Sequence, residues 1–274
     1  MAQAAMASGV ARKPITDWGA YRQRLEQTMD PGRGLVRQVI DNAKTDPERV
    51  LFPDSYDDRA IKAATALARE KIAIPMLIGK RDQVEAIAHA SGLDLEGIEI
   101  VDPPAQPSYD ECARLYLELM QRRGATRPEA GRRMFSQTRF AVMMLRLGLA
   151  DCLVMGATQA YAEAMKPALR LIGTQQKPGP DGRRVHSEAC GMYVLLTRSR
   201  TLLFADTTCQ IDFPNLASAN IAYKLMHQIG GASTFGPILL GMNRPLHILA
   251  LNVDSNDIVN LSAYAVVSAR QNGG

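Results

Sequence analysis

The sequence predicts an α/β protein: an open, mostly parallel sheet flanked by helices. Three observations carry that reading. Short apolar runs recur at Val50-Leu51-Phe52, Ile74-Pro75-Met76-Leu77-Ile78 and Cys152-Leu153-Val154-Met155. Amphipathic stretches separate them, as crossover helices separate parallel strands. The chain of 274 residues, 46% hydrophobic and 22% charged, is long enough and apolar enough to bury a large core.

Residues 1–47 are helical in pattern but broken by Met29-Asp30-Pro31-Gly32-Arg33-Gly34, so they are expected to form an appendage and linker ahead of a domain over 48–274. In that domain the first strand, 50–52, leads to a helix over 58–70 that places Ile61, Ala64, Leu67 and Ala68 on one face. The acidic loop Asp54-Ser55-Tyr56-Asp57-Asp58 between them reads as helix capping. Ile74 opens the second strand. A third, over 98–101, is closed by Asp102-Pro103-Pro104, and Ser108 with Glu111 forms a capping-box pattern for a helix to about Arg123. Pro128 suits the first turn of the next helix. The strand at 152–155 empties into Gly156-Ala157-Thr158, and a long helix is expected over 161–172. The apolar runs 192–196 and 202–204, with Thr197-Arg198-Ser199-Arg200 between them, read as a hairpin. A helix over 217–229, a glycine-bearing loop over 230–236 and a strand over 237–240 follow, and Asp254 can cap a closing helix over 256–270.

Composition and motifs narrow the chemistry. Lys and Arg number 32 against 28 Asp and Glu, with opposite charges interleaved, so neither a nucleic-acid stripe nor a nucleic-acid partner is expected. No apolar run reaches the ~20 residues needed to span a bilayer. The four cysteines lack metal-type or redox-type spacing and read as free thiols in a reducing cytoplasm. His89, His186, His227 and His247 are isolated in sequence and read as structural. The fingerprints of a dinucleotide site, a P-loop and a serine-hydrolase elbow are absent from the sequence.

Ligands of open α/β sheets sit where strands end and helices begin. Gly156, Ala157 and Thr158 form such a turn, and Lys166 and Arg170, four residues apart, can neutralise an anion together. A tight turn followed by two solvated bases explains the same residues. The loop from Lys177 to Arg184 is positive on balance and reads more simply as an exposed hairpin or connection.

From about Val50 onward the chain resembles the phosphate acetyl- and butyryltransferase family, in the form fused behind bacterial NADP-dependent malic enzymes. The stretch from Gly148 to Thr158 is similar to the family's "GEADGLVSGA", and Met165 to Thr174 to "RPALQIIKT". Leu202 to Asp206 is similar to "LLFAD", Phe213 to Tyr223 to "FPNLDSGNIAY", and Gly236 to Gly241 to "GPILQG". The leader from Ala5 to Ile15 resembles the last helix of a malic-enzyme catalytic part. The resemblance implies a phosphotransacetylase or isocitrate-dehydrogenase-like fold and a role as an acetyl-CoA-responsive, oligomer-forming regulatory module. Its partners would be a malic-enzyme catalytic domain and acetyl-CoA or a related CoA ester. NADP and a divalent metal would belong to that catalytic part, with no cofactor in these residues.

Two departures from the family follow. Its "P-V-N-D-L-S-R-G" stretch corresponds to residues 245–252, where the serine falls on Ala250 and the arginine on Leu251. Neither side chain can hydrogen-bond a thiolate or offset phosphate charge, so no catalytic residue is expected. Asp257 is retained and is a possible ligand residue, though equally a helix cap, and the arginine before "PAL" is Lys166. After Asp212 the family also carries a long stretch that this chain lacks, so a truncated second subdomain is expected. The alternative is an active phosphate acetyltransferase working with Lys166, Arg170 and Asp257.

Overall fold

The computed structural model describes residues 31–178, 183–196, 201–205 and 233–272, together with Met6, Ile15 and Asp17. Most of the leader, the expected helix over 217–229, the junction after Asp212 and the Phe213-Pro214-Asn215-Leu216 motif lie outside the described residues.

Five strands form one fully parallel sheet. In chain order these are β1 (Arg49–Phe52), β2 (Ile74–Ile78), β3 (Glu99–Val101), β4 (Cys152–Met155) and, last in sequence, β10 (Leu246–Ile248). They lie side by side as β10-β4-β1-β2-β3. The period-2 rule divides their side chains between two cores. Val50, Phe52, Cys152 and Val154 face one layer, with helices α1 (Pro31–Lys44), α2 (Asp58–Arg69), α3 (Arg81–Ala90) and α8 (Ser255–Asn272). Leu51, Leu153, Met155 and Ile248 face the other, with α4 (Tyr109–Met120), α5 (Arg127–Met134), α6 (Gln137–Leu147) and α7 (Tyr161–Pro167). This is the α/β class the sequence predicts, and no described helix is long and apolar enough to cross a membrane.

A second sheet is antiparallel, ordered β8-β7-β9, from β7 (Cys190–Leu196), β8 (Thr201–Ala205) and β9 (Ser233–Leu240). The expected hairpin is present, with Met192 opposite Ala205 and Leu196 opposite Thr201. The expected loop over 230–236 is corrected in part: residues 233–236 belong to β9, which pairs with β7 through a register shift between Met192 and Val194. A short exposed pair, β5 (Gln176–Pro178) with β6 (Arg184–His186), brackets the loop expected to be a hairpin.

Three local outcomes differ from expectation. Helix α1 starts inside the breaker cluster and packs on α8. Arg270 of α8 donates to the carbonyls of Asn42 at 3.0 Å and Ala43 at 2.8 Å and to the Thr45 hydroxyl at 3.0 Å, so α1 is part of the domain body. Ser108 makes no capping hydrogen bond, although the helix it precedes forms. The long helix over 161–172 is interrupted: Pro167, with no N–H to donate, ends α7, and residues 168–172 continue as one wider π-turn. Arg146 donates to the Leu171 and Ile172 carbonyls that close this turn. The acidic loop caps α2 as expected, through Asp57, which accepts the Arg59 N–H at 2.9 Å.

Candidate functional site

Strands β1, β2, β4 and β10 end along one edge of the parallel sheet, and the connections leaving them hold most of the residues singled out above. The turn after β4 is tightly built. Gly156 has φ +110°, and a Cβ there would lie 3.0 Å from both the Leu249 carbonyl oxygen and Ile248 Cγ2. Its N–H, and that of Ala157, point at the Asp54 carboxylate, at 2.7 and 3.3 Å, and the Thr158 hydroxyl donates to the other carboxylate oxygen. The expected anion cradle at Gly156, Ala157 and Thr158 therefore holds a carboxylate of the protein itself. Asp54 is 7% exposed.

Beside that turn, Arg59 acts as a tie. Its guanidinium pairs with Asp57 at 2.7 Å and donates to the carbonyls of Ala157 at 3.0 Å, Leu251 at 3.1 Å and Val253 at 2.8 Å. The Arg59 guanidinium bonded to Asp57 holds its carboxyl below its ordinary range against the opposing effect of burial, helped by the Arg59 N–H. Ala250 packs partly buried against the core, while Leu251 is 55% exposed. Asp257 and Asp254 cap each other reciprocally at the start of α8: the Asp257 N–H donates to Asp254 at 2.8 Å and the Asp254 N–H to Asp257 at 3.1 Å.

A cleft of about 600 Å³ opens between α4, α5, α6, α7 and the π-turn. Lys166 and Arg170 both line it, whereas Gly156, Ala157, Thr158 and Asp257 do not. The anticipated site residues are thus divided among a basic cleft, a turn filled by Asp54 and a helix cap. The cleft also gathers cations that the sequence reading did not single out, Arg123, Arg133 and Arg139, with the polar Ser136, Thr138 and Gln159. Two carboxylates join them and are already engaged, Glu129 with Arg133 at 2.9 Å and Glu163 with Lys166. Arg123, Arg139 and Arg170 have no ion pair among the described residues. A signal was present in the sequence: residues 122–139 contain six arginines and a single acid, Glu129.

A family model described as phosphate acetyl/butaryl transferase matches residues 34–212 and 211–266. The chain belongs to this family. An NADP-dependent malic enzyme of Haemophilus influenzae is 27% identical over 360 residues, covering 99% of this chain and 48% of that protein. The chain thus spans about half the length of that relative. The aligned length exceeds the 274 residues of the chain, so the relative carries residues with no counterpart here. A phosphate acetyltransferase of Thermoanaerobacterium thermosaccharolyticum is 24% identical, over 86% of this chain and 99% of that protein. The fold matches the crystal structure of a phosphotransacetylase from Streptococcus pyogenes with a TM-score of 0.77, at 21% identity and over 88% of this chain and 99% of that one.

Proposed function

We propose that this family member serves as a regulatory and oligomer-forming domain of an NADP-dependent malic enzyme, responds to acetyl-CoA or a related CoA ester, and carries out no acyl transfer of its own. In such an assembly NADP and a divalent metal serve the malic-enzyme catalytic part, and the compartment is the cytoplasm. Absence of acyl transfer is supported by one arrangement above all. Where the family's serine and arginine are expected, the chain has Ala250 and Leu251, and the guanidinium that approaches Leu251 is that of Arg59. Arg59 is paired with Asp57 and committed to three carbonyls, so it offers little to a phosphate or a departing thiolate. Losing one such donor typically costs ~10² to 10³ in rate.

Binding makes weaker demands than turnover, and the cleft holding Lys166 and Arg170 suits an anionic ligand. Regulation requires that this ligand favour one state of the assembly over another. The expected gap in the chain after Asp212 coincides with the break between the two family-model matches. Leu203 on β8, 64% exposed, is an apolar contact available to a second subunit.

The decisive experiment assays phosphorolysis of acetyl-CoA by the purified chain, alongside its thermal unfolding with and without acetyl-CoA. The expected result is no turnover and a raised midpoint. Turnover abolished by Lys166→Ala would establish the competing reading, an active phosphate acetyltransferase. That reading draws on the near-complete coverage of the T. thermosaccharolyticum enzyme.

A further inference from the structure

We infer that the β5–β6 ribbon is a docking arm for a second copy of this chain, seating head to tail on the acidic rim around that copy's β3. The inference rests on the oligomer-forming part of the reading above, to which it gives a surface, and it is independent of any CoA ester and of Leu203.

The described residues cover neither face of the ribbon. Its register places Lys177 and Val185 on one face and Gln176, Pro178, Arg184 and His186 on the other, and all six are exposed. A two-stranded hairpin is marginal on its own. This one is fastened at its root, where the Gln175 N–H donates to the Gly241 carbonyl at 2.8 Å, the Ser187 N–H to the Gln175 carbonyl at 2.6 Å and the Asn243 N–H to the Gly173 carbonyl at 3.1 Å. Gly241 has φ +82°, and a Cβ there would lie 2.2 Å from the Glu188 carbonyl oxygen, so the backbones cross in direct contact. An arm rooted in this way has less freedom to lose on docking. It is positive on balance, with Lys177, Arg183 and Arg184 against Asp181, and Val185, 51% exposed, adds an apolar contact.

The complementary surface lies at the far edge of the parallel sheet. Between Arg81 and Arg114 the chain has eight acids and neither lysine nor arginine. Glu85 and Glu111 pair with those two flanking arginines. Asp82, Asp94, Glu96, Glu99, Asp102 and Asp110 make no salt bridge among the described residues. They belong to the outermost strand, β3, and to the segments joining it to α3 and α4. Leu93, Leu95 and Ile98, only partly buried in the same stretch, offer Val185 an apolar seat.

Topology decides which copy supplies the rim. The root of the arm is fixed to residues 241–243, between β9 and β10, and β10 is the edge strand opposite β3. Four inter-strand spacings, about 19 Å, separate those edges, whereas three strand residues carry the arm only about 10 Å. Arm and rim of one chain therefore lie at opposite ends, and the arm's match is the rim of a neighbour. Meeting arm to arm or rim to rim would bring like charges together. The contact is heterologous, of the kind that closes into rings or extends into chains.

The test is sedimentation of the whole chain over a concentration series at about 0.1 M and about 1 M salt, where the screening length falls from about 10 Å to about 3 Å. Self-association is expected at the lower salt and should weaken about tenfold or more at the higher. Lys177→Glu with Arg184→Glu, and separately Glu96→Lys with Glu99→Lys, should each abolish it, because arm and rim then carry the same sign. All four side chains are exposed, so the thermal midpoints should stay unchanged. If Glu99→Lys unfolds the short β3, Glu96→Lys alone takes its place. An equimolar mixture of the two charge-reversed chains again sets opposite signs against each other and should associate as the original does. Association indifferent to salt and to the arm variant, or a mixture that stays dissociated, overturns the inference. Association that survives arm reversal but is lost in Leu203→Asp overturns it while leaving oligomer formation in place. A chain that is monomeric at both salt concentrations overturns both.

Discussion

The Asp54 carboxylate accepts the Gly156 N–H at 2.7 Å across 102 residues of sequence, joining the exit of β1 to the exit of β4. Removing it leaves two buried N–H groups and a hydroxyl without their acceptor. Asp54→Ala is expected to cost about 2–3 kcal/mol, read as a lower urea midpoint with an unchanged denaturant slope. Asp54→Asn keeps one acceptor oxygen and should lose less.

Gly156 and Gly148 both have positive φ, at +110° and +74°, but only Gly156 is crowded by the neighbouring strand. Gly148→Ala therefore carries the conformational cost alone, about 1 kcal/mol, because nothing lies within 4 Å of its Cβ. Gly156→Ala must also push Ile248 and Leu249 away, and its expected loss is about 3 kcal/mol or more. Parallel urea titrations of the two variants check the difference. Equal losses would show that crowding against β10 has no energetic weight.

His247 is 2% exposed, and burial lowers its pKa to about 4. Its Nδ1 accepts the Leu239 N–H at 3.2 Å and its ring meets Tyr264 edge-on at 5.3 Å, so it bridges β10, β9 and α8 in its neutral form. The folded state consequently binds fewer protons than the unfolded state between the two pKa values. Stability supplied by the neutral ring is complete above about pH 6.5 and falls as pH drops towards 4, by up to about 3 kcal/mol. His247→Asn should flatten the pH dependence of the unfolding free energy across that window. An unaltered slope in the variant would assign the acid sensitivity to other groups.

Arg49 and Asp151 form a two-pronged pair, Nε to Oδ2 at 2.9 Å and a terminal nitrogen to Oδ1 at 3.0 Å, and the Arg49 N–H adds a third contact at 2.9 Å. The side chains are 42% and 27% exposed, so solvent screens the attraction. A double-mutant cycle with Arg49→Ala and Asp151→Ala is expected to give a coupling of about 1 kcal/mol. The value should shrink at high salt.

Four of the five parallel strands, β1 to β4, were legible because each is a short apolar run next to an amphipathic stretch, whereas β10, only three residues long, was not read as a strand. Asp254 was legible as a cap because the N–H its carboxylate accepts lies three residues away. Helix α6 was harder to recognise. Phe140, Ala141, Val142, Met143, Met144 and Leu145 are all buried, so no polar face marks its period. The Asp54 contact joins residues 102 apart, and nothing local announces it. The cleft arginines belong to separate elements, and in sequence the run from Arg127 to Arg133 looks like ordinary solvated surface. Folding supplies what the sequence hides: Glu129 and Glu163 each take one cation, and three guanidiniums are left facing a common space.

The grip of Arg270 on residues 42–45 has a mechanical consequence. Helix α1 is riveted to the last helix of the domain, and that helix packs against β4 and β1. A load applied at Pro31 is therefore carried into the strands whose exits hold Asp54 and Gly156, with little slack between. A tethered neighbour that shifts α1 would strain that edge directly, much as a lever moves its fulcrum.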